Sequence, residues 1–308
     1  MKLSHQLAGK LILALMRLIA LLPLAASQAV GRWIGGMNYL LDSRGAKVTM
    51  TNLSVCFPSL DEEQRRELAR QSLEHTGQML METPASWLGN QKRVLGWIAE
   101  VENEDLLKNA ISAGRGAIVI LPHIGNWELL NAYMNTTGSY HTGLYAPPNQ
   151  DYMKVLMAHV RSRFGNEIVP TTVKGIATLY RRLEEGKLVV VLPDQVPATG
   201  QFAPFFGVEA LTDVLITRLI RRTPGVKVLS VVVKRLPHAR GFKVIFNEAH
   251  PDIYSTDAAT ALGAMNMTVE ACVRLAPAQY QWEYKRFKER PAGERRLYNY
   301  DNEPWTHH

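Results

Sequence analysis

The segment LPHIGNWELL, residues 121–130, places a histidine, His123, five positions ahead of a carboxylate, Glu128. An imidazole titrates near neutrality, so His123 is a candidate general base that takes the proton from a hydroxyl. A carboxylate hydrogen-bonded to the other ring nitrogen fixes the tautomer and stabilises the imidazolium that forms. Glu128 is the candidate for that role. The activated hydroxyl could attack a thioester carbonyl directly, without a protein nucleophile, provided that donors stabilise the oxyanion. Residues five apart on one continuous helix differ by about 500° and point to different faces. The pair therefore converges only if His123 lies on a loop ahead of the helix, a break that Pro122 and Gly125 supply. The plain alternative is a strand-end histidine and a carboxylate favoured at a helix first turn by the helix dipole.

Other residue types invite a supporting role. Arg161 and Arg163 flank Ser162 ahead of Phe164-Gly165. Two guanidinium groups can grip phosphate oxygens or an oxyanion in bidentate fashion, or simply sit at a solvated helix end. Asp194 and Gln195 end the apolar run KLVVVLPDQ and could form a pocket wall, an orienting hydrogen bond or a turn cap. Phe205 and Phe206 are acyl-channel candidates, with core packing as the default. Lys285, Arg286, Lys288 and Arg290, beside Trp282 and Tyr284, could meet phosphates or an acidic carrier, or form a solvated charged face. Asn126 reads first as a helix cap.

Several chemistries lack their signatures. His75, His123, His141, His159 and His250 show no HExxH-like metal spacing, and there is no GxSxG elbow, GxGxxG turn or phosphate loop. A nucleic-acid-binding protein would fit the charge but not the apolar N-terminus.

These residues need a scaffold. GRGAIVILPH (114–123), HTGLYAP (141–147), NEIVP (166–170) and KLVVVLPDQ (187–195) read as strands. Helices are expected at 61–88, with a break near Pro84, and at 104–113, from WELLNAYM onward, and at 150–164, 173–186, 209–222 and 257–276. Residues 226–249 read as a β-hairpin turning near 237–241. This alternation predicts an α/β fold, a mixed β-sheet flanked by helices. In such sheets, sites lie beyond the carboxyl ends of strands, where His123 and Asp194 fall.

The chain has 308 residues, 46% of them hydrophobic and 20% charged, enough for a sizeable core. Its formal net charge of +7 favours anionic partners without choosing among them. Two distant cysteines, Cys56 and Cys272, make no disulfide framework and suit a reducing, cytoplasmic setting. Residues 11–26, LILALMRLIALLPLAA, are apolar except for Arg17 and fall short of the roughly 20 residues that span a bilayer. A cleaved signal peptide and a spanning helix both have to accommodate Arg17 in their apolar centre. A buried helix of a soluble protein is the remaining alternative. The favoured reading is an interfacial helix with Lys10 and Arg17 on one face toward lipid phosphates. The organisation expected is an N-terminal membrane-anchoring helix, 1–30, followed by a catalytic domain, 31–308.

Taken together, these blocks resemble the late acyltransferases of bacterial lipid A biosynthesis, the lauroyl/myristoyl acyltransferase family. The resemblance covers most of the chain. It rests on Asn52-Leu53 with Cys56-Phe57-Pro58, HIGNWE (123–128), RSRFG (161–165), LPDQ (192–195), PFFG (204–207) with Thr212, and QYQWEYKRFKERP (279–291). It implies a glycerolipid-acyltransferase-like fold and an acyl–acyl carrier protein donor. It further implies an acylated, phosphorylated glucosamine disaccharide as acceptor, no metal or organic cofactor, and a place at the cytoplasmic face of the inner membrane. The family's catalytic pair falls on His123 and Glu128. Alternatives within the resemblance are an acyltransferase acting on an ornithine- or glycine-type lipid or a phosphoinositol glycan, and a catalytically inactive lipid-binding relative.

Overall fold

A computed structural model of the chain describes residues 3–136, 138, 140–146, 160 and 165–298. Arg161, Arg163 and the expected helix around them lie outside the described residues.

Helices lead the chain: α1 (Leu3–Ala20), α2 (Leu24–Leu40), α3 (Arg44–Cys56), α4 (Glu62–Leu88) and α5 (Gln91–Leu95). Then β1 (Ile98–Glu102), α6 (Glu104–Ser112), β2 (Ala117–Ile120), α7 (Leu129–Thr136), β3 (His141–Tyr145) and β4 (Glu167–Pro170) follow. The chain continues through α8 (Val173–Glu184), β5 (Leu188–Val191), β6 (Gln201–Phe205), β7 (Val208–Thr212), α9 (Leu215–Arg222), β8 (Lys227–Arg235), β9 (Phe242–Glu248) and α10 (Ala258–Leu275).

Seven strands form one mixed sheet in the order β1-β9-β8-β2-β5-β3-β4, with β8 and β9 as its antiparallel pair. The expected α/β architecture is therefore present. Side chains alternate across the central strands. Ile118 and Ile120 enter one core with Val189, Val191, Leu179 of α8 and Val269 of α10. Ala117, Val119 and Leu121 enter the other core with Val190, Leu107 of α6 and Leu130 of α7. Both faces are thus covered, which is why β2 and β5 read as unbroken apolar runs. Each fully buried aliphatic side chain contributes about 1.5–3 kcal/mol.

Two expectations need correction. The helix expected at 209–222 begins only at Leu215. Residues 208–212 instead pair with 201–205 as a hairpin, closed by Phe206 and Gly207, both with positive φ. That two-residue turn geometry suits the right-handed twist of a hairpin. No break occurs at Pro84 either, because α4 runs on to Leu88. Proline removes one backbone donor, and the buried turn that follows it, Ala85 and Ser86, holds the helix together. At the other end of α4 the expected start is present as a capping box between Asp61 and Gln64.

The N-terminal helices pack on α4. Gly35 and Gly77 permit the close approach of α2: a Cβ on Gly35 would lie 2.0 Å from the Leu73 carbonyl oxygen, and one on Gly77 would lie 2.0 Å from that of Gly31. The boundary expected at residue 30 falls inside α2, which is continuous from Leu24 to Leu40. Arg93 holds the turn between α1 and α2 by donating to the carbonyls of Ala20 and Leu22. Among the described residues, no helix is long and apolar enough to cross a membrane. Leu11, Leu15, Leu18 and Leu21 are nevertheless exposed, as are Trp33, Leu40 and Leu41.

Candidate active site

Strands β2 and β5 lie side by side and parallel, with Ile120 opposite Val191. Each is followed by Leu-Pro and one polar residue: Leu121-Pro122-His123 and Leu192-Pro193-Asp194. Equal register and equal spacing bring the histidine and the aspartate together. Asp194 Oδ1 accepts from His123 Nδ1 at 2.8 Å, and Oδ2 accepts from the His123 backbone N–H at 2.9 Å. Asp194 is 3% exposed. With Nδ1–H committed to Asp194, the lone pair lies on Nε2, which stands 3.3 Å from the Gln195 amide nitrogen. The Trp127 and His123 rings pack in a T-shaped arrangement, 4.8 Å between centroids.

This arrangement answers the question about Glu128. His123 does lie on a loop ahead of the helix, but so does Glu128, because α7 begins at Leu129. The carboxylate hydrogen-bonded to His123 Nδ1 is Asp194, in the orienting role that the sequence had offered to Glu128. Glu128 acts on the imidazole at longer range, through its charge. Burial works against a charged His123, but Asp194, then Glu128 and Glu283, outweigh it and raise the imidazole above its ordinary range. Burial likewise works against a charged Asp194, and the His123 charge and hydrogen bonds outweigh it, so its carboxyl is held low.

The loop is fixed from both sides. Gly125 has φ +63°, and an added Cβ would lie 1.9 Å from the Val233 carbonyl oxygen. Its N–H donates to Gln279 O, the N–H of Asn126 donates to Val233 O, and the N–H of Gln281 donates to His123 O. Asn126 does not cap α7 with its side chain. Its Nδ2 donates instead to Glu82 and, at 3.4 Å, to Ser86.

Two cavities meet at this loop. One, of about 290 Å³, is lined by His123, Glu128, Thr76, Met79, Leu80 and Glu283, among others. Glu283, raised by burial, accepts from the Thr76 hydroxyl at 3.0 Å. The other, of about 170 Å³, runs between Leu121, Leu130, Leu144, Ile168, Val190 and Leu192. His141 also lines it, pushed down to about 4 by burial. Trp87, Trp127 and Glu128 belong to both linings and form the wall between the two. Glu283 was missed in the sequence, where the block QYQWE offered no spacing that tied it to His123.

The remaining candidates divide. Phe205 and Phe206 line neither cavity at His123. They join Phe57, Tyr280 and Trp282 in an aromatic cluster of the core. Arg286 is buried, donates to Leu211 O and Thr212 Oγ1, and lies over Phe205. Lys285, Lys288 and Arg290 line a separate cavity of about 460 Å³ with Arg296 and Tyr298. The Asn-Leu block has a structural role, since Asn52 Nδ2 donates to the carbonyls of Trp282 and Tyr284 and so clamps the segment that lines the His123 cavity.

Comparison with known proteins gives the family. The sequence matches the family described as bacterial lipid A biosynthesis acyltransferase over residues 2–289. It is 29% identical over 280 residues to the lipid A biosynthesis lauroyltransferase of Escherichia coli K12, covering 90% of each chain. It is 30% identical over 271 residues to the palmitoleoyltransferase of the same organism, covering 87% of each. A lipid A biosynthesis acyltransferase of Haemophilus influenzae is 25% identical over 286 residues, covering 90% of this chain and 89% of its own. A match of this kind across nearly the whole sequence shows that the chain belongs to the bacterial lipid A biosynthesis acyltransferase family and is an acyltransferase.

Proposed function

We propose that the protein transfers a fatty acyl chain from acyl–acyl carrier protein to a hydroxyl of an acylated, phosphorylated glucosamine disaccharide, the lipid A precursor. The observation that carries this reading is the imidazole of His123, oriented by Asp194 and opening onto a cavity that adjoins a second one. Nε2 of His123 takes the proton of the acceptor hydroxyl. The oxygen attacks the thioester carbonyl, the C–S bond breaks, and the proton leaves with the thiol of the carrier's prosthetic arm. Asp194 and Glu128 stabilise the imidazolium in between. The cavity walled by Leu121, Leu130, Leu144, Ile168, Val190 and Leu192 suits the acyl chain, and the one that holds His123, with Thr76 and Glu283, suits the reacting end of the acceptor. The overall positive charge and the Lys285, Lys288 and Arg296 face favour anionic partners. The test is incubation of the purified protein with acyl–acyl carrier protein and the lipid acceptor. Mass spectrometry should show a product heavier by one acyl group, and an unchanged acceptor would sink the proposal.

The cavity beside Leu121 and Val190 makes a second expectation. Gly143 lines it, has ordinary backbone angles, and an added Cβ would meet Ile168 Cδ1 at 3.3 Å, the Val190 carbonyl oxygen at 3.6 Å and His141 Cδ2 at 3.9 Å. Gly143→Leu should fill the cavity and shift transfer toward shorter acyl chains, measured by competition between donors of different length. An unchanged preference would place the chain elsewhere.

The same reading puts the protein at the cytoplasmic face of the inner membrane. Leu11, Leu15 and Leu18, 64%, 58% and 65% exposed, share a helix with the exposed Lys10 and Arg17, and such a face suits the headgroup layer. Leu11→Glu, Leu15→Glu and Leu18→Glu in combination should release the protein from vesicles containing anionic lipid. Undiminished flotation with the vesicles would mean that the attachment lies elsewhere.

A further inference from the structure

The catalytic loop rests on a buried ion pair that has no part in the proton transfer. Glu82 of α4 is fully buried, and Arg235, the last residue of β8, is 3% exposed. The guanidinium meets the carboxylate in two parallel hydrogen bonds, Nε to Oε1 and Nη2 to Oε2, each 2.7 Å. The same carboxylate accepts from Gln28 Nε2 of α2 at 2.9 Å and from Asn126 Nδ2 at 3.1 Å. Four segments distant in sequence thus converge on one carboxylate: α2, α4, the His123 loop and the end of β8.

A buried ion pair is a poor device for stability, because the cost of desolvating two charges cancels most of their attraction. Well-packed apolar side chains of the same volume often serve as well or better. What apolar side chains cannot do is fix the direction of a neighbouring amide. Asn126 lies between His123 and Glu128, is fully buried, and has its side chain turned to Glu82 rather than to the helix that follows. α4 also borders the cavity that His123 lines. Met79 and Thr83 of α4 line it, and so does His75, whose Nδ1 is 3.2 Å from Arg235. Burial, then the Arg235 charge, push His75 down to about 3, so it stands beside the pair as a neutral ring.

We propose that Glu82 is a positioning residue for acyl transfer, holding Asn126, and through it the 123–128 loop, in place against the α4 wall of the cavity. The inference rests on His123 being the base. A displacement of about 1 Å at a reacting group costs about 10²-fold in rate. Asn126→Ala cuts the link to the loop while leaving Glu82 and Arg235 paired, and should lower kcat by about 10²-fold with little change in KM. Gln28→Ala removes a different hydrogen bond from the same carboxylate, on the side away from the loop. It should match Asn126→Ala in lost thermal stability yet keep kcat near that of the unaltered protein.

Glu82→Asp serves as the second variant, because it keeps a charge facing Arg235 but withdraws the carboxylate by one methylene. It should lower kcat in the same way, and it decides the matter if Asn126→Ala does not fold. The assay is acyl transfer by the full-length protein in detergent or vesicles, with His123→Asn as reference. Full rate in both Asn126→Ala and Glu82→Asp overturns the proposal, as does equal loss of rate in Asn126→Ala and Gln28→Ala. Activity in His123→Asn would instead overturn the assignment of the base.

Discussion

His123→Asn should lower acyl transfer by about 10³-fold, within the range that a general base supplies, while the protein still folds and binds its donor. Asparagine is the informative replacement. Its amide can donate to Asp194, which would otherwise be left as a buried carboxylate. Alanine removes the ring partner and leaves Asp194 to the backbone N–H of residue 123 and the Tyr280 hydroxyl, and breaking a buried charged pair costs about 3–5 kcal/mol. His123→Ala should therefore lose stability as well as rate. Steady-state kinetics and melting curves on both variants separate the effects. Near-normal turnover in His123→Asn would remove the imidazole from the chemistry.

Asp194→Asn should lower kcat by about 10³–10⁴-fold, the loss expected when the orienting carboxylate of a histidine base is neutralised. An asparagine can face Nδ1 with either its oxygen or its nitrogen, so the wrong tautomer becomes available. The pH profile gives an independent reading. In the unaltered protein the imidazole is raised, so the base is free only above its usual value of about 6.5, and the acidic limb of kcat/KM should lie above that pH. Removing the Asp194 charge leaves burial, which lowers the imidazole, opposed only by the weaker pull of Glu128 and Glu283, so the residual activity should have its acidic limb at lower pH. Glu128→Gln should also depress the rate, with a smaller displacement of that limb, because Glu128 contributes charge to the imidazole and Asp194 contributes both charge and a hydrogen bond. Equal displacements in the two variants would make Glu128 the equal of Asp194 as the partner of His123.

The same pair ties stability to pH in opposite senses. A raised His123 contributes stability that is present below the unfolded value of about 6.5 and is lost as pH rises through the folded one. A depressed Asp194 contributes stability that is present above the unfolded value of about 3.9 and is lost as pH falls through the folded one. The pair therefore stabilises most between those two unfolded values.

Much of the sheet was legible because its central strands are buried on both faces and announce themselves as apolar runs, as in AIVI of β2 and LVVV of β5. The hairpin of β8 and β9 was legible for the same reason. The order of the strands was not. Nothing in the spacing of residues 117–120 and 188–191 says that they are neighbours, with β3 and β4 lying beyond. That is why the sequence set Glu128, close along the chain, as partner to His123, while Asp194, 71 residues away, stood only as a possible orienting group. A trace of the answer was present in the repeated Leu-Pro ahead of His123 and Asp194, which acquires meaning once the two strands are known to lie in register. The β6–β7 hairpin was obscured because its second strand runs straight into α9, and the apolar spacing of the two together resembles one helix. Asn126 was misjudged since its side chain answers to Glu82, a residue on another element, rather than to its own chain neighbours.

The in-step endings of β2 and β5 also bear on when the chain becomes competent during its synthesis. The base emerges first, but it has no orienting partner until the strand ending at Val191 has docked beside it and Asp194 has followed. The wall formed by Gln281 and Glu283 arrives later still. On the proposed mechanism, a nascent chain carries the histidine in a disarmed form until the centre of the sheet has closed.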